Sequence, residues 1–208
     1  MTRQFWTKAM GVASAVLGAA VLVGCGSSAN SAQNSGTSAS ATPSTAESQS
    51  PVERGKYLVT VVGCNDCHTP KIMGPNGPAP DTSKLLSGHP EGMRMPPPPQ
   101  LPPDGPWAIT VAPTLTAWSG PWGVSFAANL TPDKNTGLGI WTEDMFVKAI
   151  RTGKHMGTSR PILPPMPWQE LSHMTDTDLK AIFAYLQTIP PVANHVPDPI
   201  APKSNGNS

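Results

Sequence analysis

The stretch Cys64-Asn65-Asp66-Cys67-His68 has the pattern C-x-x-C-H, and the interpretation of the whole chain starts from it. Two residues between the cysteines let one helical turn hold both sulfurs beside the vinyl groups of a porphyrin edge, and the adjacent histidine can then ligate iron. A thioredoxin-like redox pair and half of a zinc site are the competing interpretations, but no second Cys pair or H-x-x-x-H partner accompanies the motif. The motif therefore predicts one covalently attached haem, bound through Cys64 and Cys67 and ligated by His68.

The opposite face of the iron needs a second ligand, and Met166 is the favoured candidate. It lies in Pro164-Pro165-Met166-Pro167-Trp168, where three prolines stiffen the backbone and hold one side chain in place at low entropic cost. His155 and Met156, in a loop after a predicted helix, remain alternatives. A lone Met or His is more often a packing residue than a ligand, and we interpret the remaining candidates in this way: His89, His173, His195, Met73, Met93, Met95, Met145 and Met174.

The first 24 residues have the pattern of an export signal. Arg3 and Lys8 flank an N-terminal segment, and the apolar stretch over residues 9–23 is shorter than the ~20 residues that a membrane-spanning helix needs. Leu22-Val23-Gly24-Cys25 resembles the bacterial lipoprotein box, and this resemblance implies cleavage before Cys25 and a lipid on its thiol. An ordinary signal peptide, or an uncleaved anchor with an incidental cysteine, is the alternative.

Residues 25–50 form a linker of low complexity. They are almost wholly Ser, Ala, Thr, Asn, Gln and Gly, so they have no apolar face to bury and predict a flexible, solvated tether. Gly26 follows Cys25, and by resemblance to Gram-negative lipoprotein sorting this implies the outer membrane. We therefore expect a periplasmic or otherwise extracytoplasmic domain that is lipid-anchored to the membrane.

Charge and cysteine usage exclude several classes of function. The 14 basic and 13 acidic residues nearly balance, and no run of Lys and Arg is interleaved with aromatic residues. Nucleic-acid binding and a polybasic membrane patch are therefore not expected. Since Cys25 is assigned to a lipid and Cys64 and Cys67 to haem, no cysteine is left for a disulfide.

Three helices are predicted around the motif. Residues 52–62 form a short apolar helix that leads into it. Thr142 caps a second helix that stops at Gly153, and acidic residues follow the cap at its positive end. Thr175 caps a third helix, which has apolar residues at i, i+3, i+4 and i+7 and ends before Pro190.

Several motifs together resemble single domains of the cytochrome c subunits of bacterial membrane dehydrogenases, of the alcohol and gluconate dehydrogenase type. The resemblance covers residues 51–191 and implies an all-α fold, the class I cytochrome c domain, with three main helices around one haem c. Those subunits usually carry several haems, whereas this chain has one C-x-x-C-H. The motifs are Arg54-Gly55-Lys56-Tyr57-Leu58, C-x-x-C-H-T-P, Asn129-Leu130-Thr131-Pro132-Asp133, Thr136-Gly137 to Trp141-Thr142, Arg151-Thr152-Gly153, Met166-Pro167-Trp168 and Met174-Thr175-Asp176.

The same resemblance implies roles for particular residues. The Pro70 carbonyl is expected to accept the second ring N–H of His68, and Asn129 and Trp141 are expected near the haem or its propionates. A buried core tryptophan is an equally good interpretation of Trp141. The helix around Gly55 is expected to pack on the C-terminal helix, near Phe183 and Tyr185.

Two segments depart from a minimal cytochrome. Residues 71–128 form a proline-rich insertion, which we expect to be a polyproline-like loop that wraps the domain. Trp107, Trp118 and Trp122 are expected to hold this loop against the domain. Residues 192–208 are expected to form a flexible C-terminal tail.

These observations together predict a mono-haem c-type cytochrome that acts as a membrane-tethered, extracytoplasmic one-electron carrier rather than as an enzyme. Its partners would be redox proteins, one that donates and one that accepts electrons. An electron-accepting cytochrome subunit of a membrane-associated dehydrogenase is the alternative. A haem enzyme or ligand sensor with an open distal site is the third interpretation.

Overall fold

The structure, a computed structural model, describes residues 49–102 and 104–202. The predicted signal peptide at residues 1–24, the predicted lipidation site Cys25 and nearly all of the predicted linker lie outside the described residues. In the part of the chain that is described, no helix combines the length and the apolar composition that crossing a bilayer requires.

The three predicted helices are confirmed, and two shorter α-helices accompany them in the described residues. The motif itself is one of the short helices. The α-helices are α1 (Pro51–Val61), α2 (Cys64–His68), α3 (Glu143–Thr152), α4 (Trp168–Leu171) and α5 (Asp176–Leu186). Two 3-10 helices lie at Thr82–Lys84 and His155–Gly157.

Side-chain caps determine where the three long helices begin. Ser50 and Glu53 form a capping box at α1, in which the Glu53 carboxylate accepts the Ser50 N–H at 2.9 Å. Thr142 accepts the N–H of Met145 at the start of α3, and Thr175 accepts the N–H of Asp178 at the start of α5. These bonds satisfy backbone donors that have no partner inside the helix, so the local sequence alone suffices to start each helix.

The core lies between α1, α3 and α5. Phe146 of α3 and Phe183 of α5 meet with ring centroids 5.5 Å apart. On α1, a Cβ at Gly55 would overlap the backbone of Ala181 and lie 2.8 Å from the Cβ of Tyr185, so the absence of a side chain lets α1 approach α5. The predicted packing of this helix on the C-terminal helix is therefore confirmed.

The prediction of an all-α class I cytochrome c domain is wrong, because the described residues also form two antiparallel sheets. Both sheets lie in the segment 71–128, which the sequence predicts to be a polyproline-like loop. One sheet has two strands and the other has the strand order β3-β4-β5. The strands are β1 (Lys71–Gly74), β2 (Gly77–Pro80), β3 (Thr110–Val111), β4 (Ala117–Gly120) and β5 (Gly123–Phe126).

Short turns between glycines explain why the strands form. Gly74 pairs with Gly77 across one turn, and Gly120 pairs with Gly123 across the other, so two residues connect the strands in each hairpin. A two-residue turn sets the register of the two flanking strands, and only a few backbone dihedral angles must be fixed to form it. The many prolines of this segment lie mainly between the sheets, and residues 96–102 and 104–106 there have no helix or strand assigned.

The tryptophans and the C-terminal segment also differ from expectation. Trp107 is 75% exposed and therefore does not hold the insertion down, whereas Trp118 and Trp122 are partly buried. The described part of the expected flexible tail lies against the domain: Asn194 is buried, and Ile200 forms a backbone bridge with Val124. Buried backbone groups need partners, and this segment supplies them to the insertion.

Candidate functional site

The C-x-x-C-H motif occupies a helix of its own. Gly63, with φ at 78°, separates α2 from α1, a backbone conformation that favours glycine. Thr69, in an extended conformation, ends α2, and its hydroxyl donates to the Asn65 side chain at 3.1 Å. Since Cys64 and Cys67 are three residues apart in one helix, their side chains share a face.

His68 is held in one ring orientation. It is 8% exposed, and its Nδ1 lies 2.8 Å from the carbonyl oxygen of Ala128. A carbonyl can only accept, so Nδ1 carries the proton and Nε2 carries the lone pair. Burial lowers the pKa of His68, which favours the neutral ring. No described residue forms a hydrogen bond with Nε2, and the lone pair is therefore available to a metal.

The expected acceptor for His68, the Pro70 carbonyl, is occupied elsewhere. It accepts the N–H of Asp81 at 2.8 Å, and Ala128 takes the role that was predicted for Pro70. Ala128 directly precedes the Asn129-Leu130-Thr131-Pro132-Asp133 motif, which was the one signal that could have indicated it. A backbone acceptor has no side-chain signature, so the sequence could not identify it.

The two cysteines have the properties of thiols rather than of reactive thiolates. Burial raises the pKa of Cys64 to about 11, and it also raises the pKa of Cys67. Redox-active pairs of the thioredoxin type need the opposite shift. Among the described residues, no group of three or more His, Cys, Asp or Glu side chains could hold a metal ion, so zinc lacks a ligand set here.

Met166 is partly buried and packs against the hydrophobic core, as do Cys64 and Trp141. A tight backbone turn surrounds it, because the Met166 N–H donates to the Leu163 carbonyl and the Met166 carbonyl accepts from the Trp168 N–H at 2.9 Å. The prolines thus lie in a turn around Met166, whereas the sequence predicts a stiff, extended loop. The structure brings Met166 and the first cysteine of the motif to the same core.

His155 and Met156, the alternatives to Met166, lie on the 3-10 helix after α3. The ring of His155 meets Trp141 edge-on, with centroids 5.1 Å apart. Met156 has φ at 53°, which is rare for a residue with a side chain. Trp141 packs against the core, as its alternative interpretation expects.

Asn129 is buried, and its side chain is engaged within the protein. Its Nδ2 donates to the Val192 carbonyl at 2.8 Å, and its Oδ1 accepts from the N–H and the hydroxyl of Thr131. These bonds join the motif that follows Ala128 to the C-terminal segment. Asn129 therefore has a clear structural role beside the one predicted from the resemblance.

The residues fit a covalently bound haem. The cysteines are protonated thiols on one face of a helix, and the buried His68 presents a lone pair at Nε2. An apolar core that includes Met166 lies beside them. Two cysteines followed directly by a histidine are the groups that hold haem in c-type cytochromes.

Comparison with known proteins gives the same class, and the resemblance to cytochrome c subunits of bacterial membrane dehydrogenases is confirmed. The fructose dehydrogenase cytochrome subunit of Gluconobacter japonicus is 28% identical over 147 residues, which is 71% of this chain and 23% of that protein. The gluconate 2-dehydrogenase cytochrome c subunit of Pantoea cypripedii is 38% identical over 69 residues, or 33% of this chain and 15% of that protein.

A third relative is the cytochrome c subunit of a quinone alcohol dehydrogenase from Gluconobacter oxydans. It is 34% identical over 76 residues, which cover 35% of this chain and 16% of that protein. The matches thus span less than a quarter of the length of each of these three relatives. No family model matches the chain.

Proposed function

We propose that the chain is a mono-haem c-type cytochrome that carries single electrons between protein partners. Cys64 and Cys67 would hold the haem through two thioether bonds, and His68 and Met166 would bind its iron. When bound, haem c supplies a one-electron couple, in which ferric iron gains one electron and ferrous iron returns it. The protein would then act as a carrier, since two protein ligands leave no open position on the iron.

The state of His68 is the observation that carries this proposal. The Ala128 carbonyl holds the proton on Nδ1 and aims the ring, so the lone pair on Nε2 needs no rearrangement to meet iron. Burial, which keeps the ring neutral, favours the same form. His89 is also buried with a bonded Nδ1 and an Nε2 that has no partner among the described residues, so what distinguishes His68 is its place directly after Cys64 and Cys67 in one helical turn.

Acid acetone separates this proposal from non-covalent haem binding. The protein is produced in a bacterial host that carries a cytochrome c maturation system, and the pigment must stay with the precipitated protein after extraction. Cys64→Ser and Cys67→Ser should each lose one thioether bond, which shifts the pyridine haemochrome band of the remaining pigment. Complete extraction of pigment from the wild type would refute the covalent site.

Met166→Ala tests the second axial ligand. The ferric wild type is expected to show the thioether-to-iron charge-transfer band at the red end of the visible spectrum, and the variant should lose it. Met174→Ala is the matched control, because Met174 is also partly buried against the core and should keep the band. If Met166→Ala keeps the band, another thioether binds the iron and Met156 becomes the next candidate, whereas a wild type that lacks the band would favour His155.

The setting of this carrier is part of the proposal. Export by the signal at residues 1–24, a lipid on Cys25 and a flexible linker would tether the domain outside the cytoplasm, to the outer membrane in a Gram-negative cell. Radioactive palmitate supplied to cells tests the anchor, because a lipoprotein takes up label and a Cys25→Ser variant does not. An unlabelled mature wild-type protein would refute it.

Membership of a dehydrogenase complex is the second candidate, and the names of the three relatives favour it. A subunit should co-purify with a sugar or alcohol dehydrogenase activity from detergent extracts of the native host, whereas a free carrier should elute without that activity.

An enzyme or sensor with an open distal site is the third candidate function. Carbon monoxide binding by the untreated ferrous protein would favour this third candidate over the carrier.

A further inference from the structure

The loop of residues 86–89 touches both partners of the His68 hydrogen bond. The Gly88 N–H donates to the backbone carbonyl of His68 at 2.8 Å. Gly88 has φ at +80°, and a Cβ there would lie 2.7 Å from the Ala128 carbonyl oxygen, which is the acceptor of the His68 ring. Gly88 therefore lies against the backbone of His68 on one side and against the Ala128 carbonyl on the other.

Two further backbone bonds join this loop to the strand end that carries Ala128. The His89 N–H donates to the Ala127 carbonyl at 2.9 Å, and the Leu130 N–H donates to the Leu86 carbonyl at 2.9 Å. These bonds lie on either side of Ala128 in the sequence. Any shift of the loop therefore moves the Ala128 carbonyl with it.

The side chain of Asn194, from the C-terminal segment, holds the loop on both sides of Gly88. Its Nδ2 donates to the Ser87 carbonyl at 2.7 Å and to the His89 carbonyl at 2.9 Å, and its Oδ1 accepts from the Glu91 N–H at 2.8 Å. Asn194 is 9% exposed, so these bonds are largely shielded from water. A buried amide with every hydrogen-bonding group used is costly to remove.

We infer that Asn194 is a positioning residue for His68. Its amide donates to the carbonyls on both sides of Gly88 and thereby holds the loop that is bonded to the segment around Ala128. The position of the Ala128 carbonyl in turn sets the length and strength of the hydrogen bond from the His68 Nδ1–H. The inference rests on the proposed function, because its consequence is a property of the iron that His68 would ligate.

The direction of the effect follows from the chemistry of the imidazole. A short bond from Nδ1–H to a carbonyl makes the ring a stronger electron donor through Nε2, which stabilises ferric iron relative to ferrous. When Asn194 is removed, the loop relaxes, the bond lengthens and ferric iron loses part of this stabilisation. The midpoint potential must therefore rise.

Asn194→Ala is the primary test, and the measured quantity is the midpoint potential from a spectroelectrochemical titration of the purified haem protein. We expect the equilibrium to shift toward the ferrous form by roughly tenfold at most, because Asn194 acts on the His68 bond through the loop, whereas removing a ligand's own partner costs ~10–100-fold in metal affinity or activity. For a one-electron couple, tenfold corresponds to ~59 mV. An unchanged potential in a folded variant that carries haem would overturn the inference.

Gln187→Ala is the matched control. The Gln187 amide also donates to a backbone carbonyl, that of Leu138 at 3.2 Å, but in the described residues it forms no hydrogen bond with residues 86–91. It should lose stability without a comparable rise in potential. An equal rise in this control would mean that loosening anywhere in the domain has the same effect, and it would overturn the assignment of Asn194.

Gly88→Ala tests the same path from its other end. Its Cβ would overlap the carbonyl oxygens of Ala127 and Ala128, so the Ala128 carbonyl must move and the potential should change from that of the wild type. The double variant should show less than the sum of the two shifts, because both act on one hydrogen bond. Additive shifts would overturn the shared path.

Thr136→Val decides the matter if Asn194→Ala does not fold. The Thr136 hydroxyl accepts the backbone N–H of Asn194 at 3.0 Å and the side-chain N–H of Asn129 at 3.2 Å, so its loss loosens Asn194, and with it Asn129, without removing the Asn194 amide. A smaller rise in potential supports the inference, and no rise overturns it. Failure of the proposed function is distinguishable, because the wild type itself would then carry no covalent haem.

Discussion

Gly55→Ala is a sharp test of the packing between α1 and α5, the two helices that form the centre of the core. The added Cβ would overlap the backbone of Ala181 and lie 2.8 Å from the Cβ of Tyr185. A backbone group and a Cβ cannot rotate away as the end of a flexible side chain can. The helices must therefore separate, and α2, which follows α1 directly, must move with them.

Two opposing effects set the magnitude. Ala is favoured over Gly inside a helix by ~1 kcal/mol. Forcing extra volume into a well-packed contact costs ~1–3 kcal/mol, and a rigid backbone obstacle places Gly55→Ala at the upper end of that range. The net loss is about 2 kcal/mol of unfolding free energy, which for a domain of this size lowers Tm by roughly 4–8 °C.

Urea denaturation of the haem protein, followed by far-ultraviolet circular dichroism, measures this loss as a lower midpoint at unchanged slope. Gly92→Ala is the matched control, because nothing lies within 4 Å of a Cβ at Gly92. It should leave stability unchanged or raise it by up to ~1 kcal/mol. If Gly55→Ala is as stable as the wild type, the close approach of α1 and α5 is not what requires glycine.

Two further predictions concern charge and pH. The Arg54 guanidinium lies 2.9 Å from the Asp178 carboxylate and lowers the pKa of that carboxyl. The pair therefore stabilises the fold fully at pH values above the carboxyl's ordinary pKa of 3.8. This stabilisation is lost as the pH falls through the lower pKa of the folded state. Asp178→Asn should cost ~0.5–1 kcal/mol at pH 7, whereas Lys180→Ala, in a more exposed pair, should cost less, and equal losses in urea melts would contradict this. His89 is fully buried, its Nε2 has no hydrogen-bond partner among the described residues, and burial lowers its pKa below the ordinary 6.5. As the pH falls below about 6.5, the unfolded chain therefore takes up a proton at His89 before the folded chain does. The stability of the wild type should consequently fall between pH 7 and pH 5, and that of His89→Leu should fall less steeply. Equal slopes of Tm against pH in the two proteins would contradict this.

The helices could be predicted because their signals are local. Thr142 and Thr175 lie three residues before the N–H groups that they cap, and Gly153 supplies the left-handed residue that ends α3. The prediction from the sequence misses the strands, although the turn signals of the two hairpins are also local. The run of prolines near residues 96–106 suggested one long loop, while the pairs of glycines that bound the two hairpins were not recognised as turn signals.

The same difference divides the candidate site. The C-x-x-C-H pattern indicates its chemistry by itself, because the two cysteines and the histidine lie within one helical turn whatever surrounds them. By contrast, the contact of His68 with Ala128 spans 60 residues of sequence. Its acceptor is a backbone carbonyl, a group that every residue carries, so no residue type could distinguish Ala128 from Pro70.

The sequence by itself determined the motif, the three long helices and the resemblance to cytochrome c subunits. Only the tertiary structure decided that the C-terminal segment packs on the domain and that Asn194 reaches across 107 and 105 residues to the carbonyls of Ser87 and His89. The physical reason is that helix caps and motifs depend on neighbours in the chain. Buried backbone groups instead take whichever partner the packing of distant segments brings within hydrogen-bond distance.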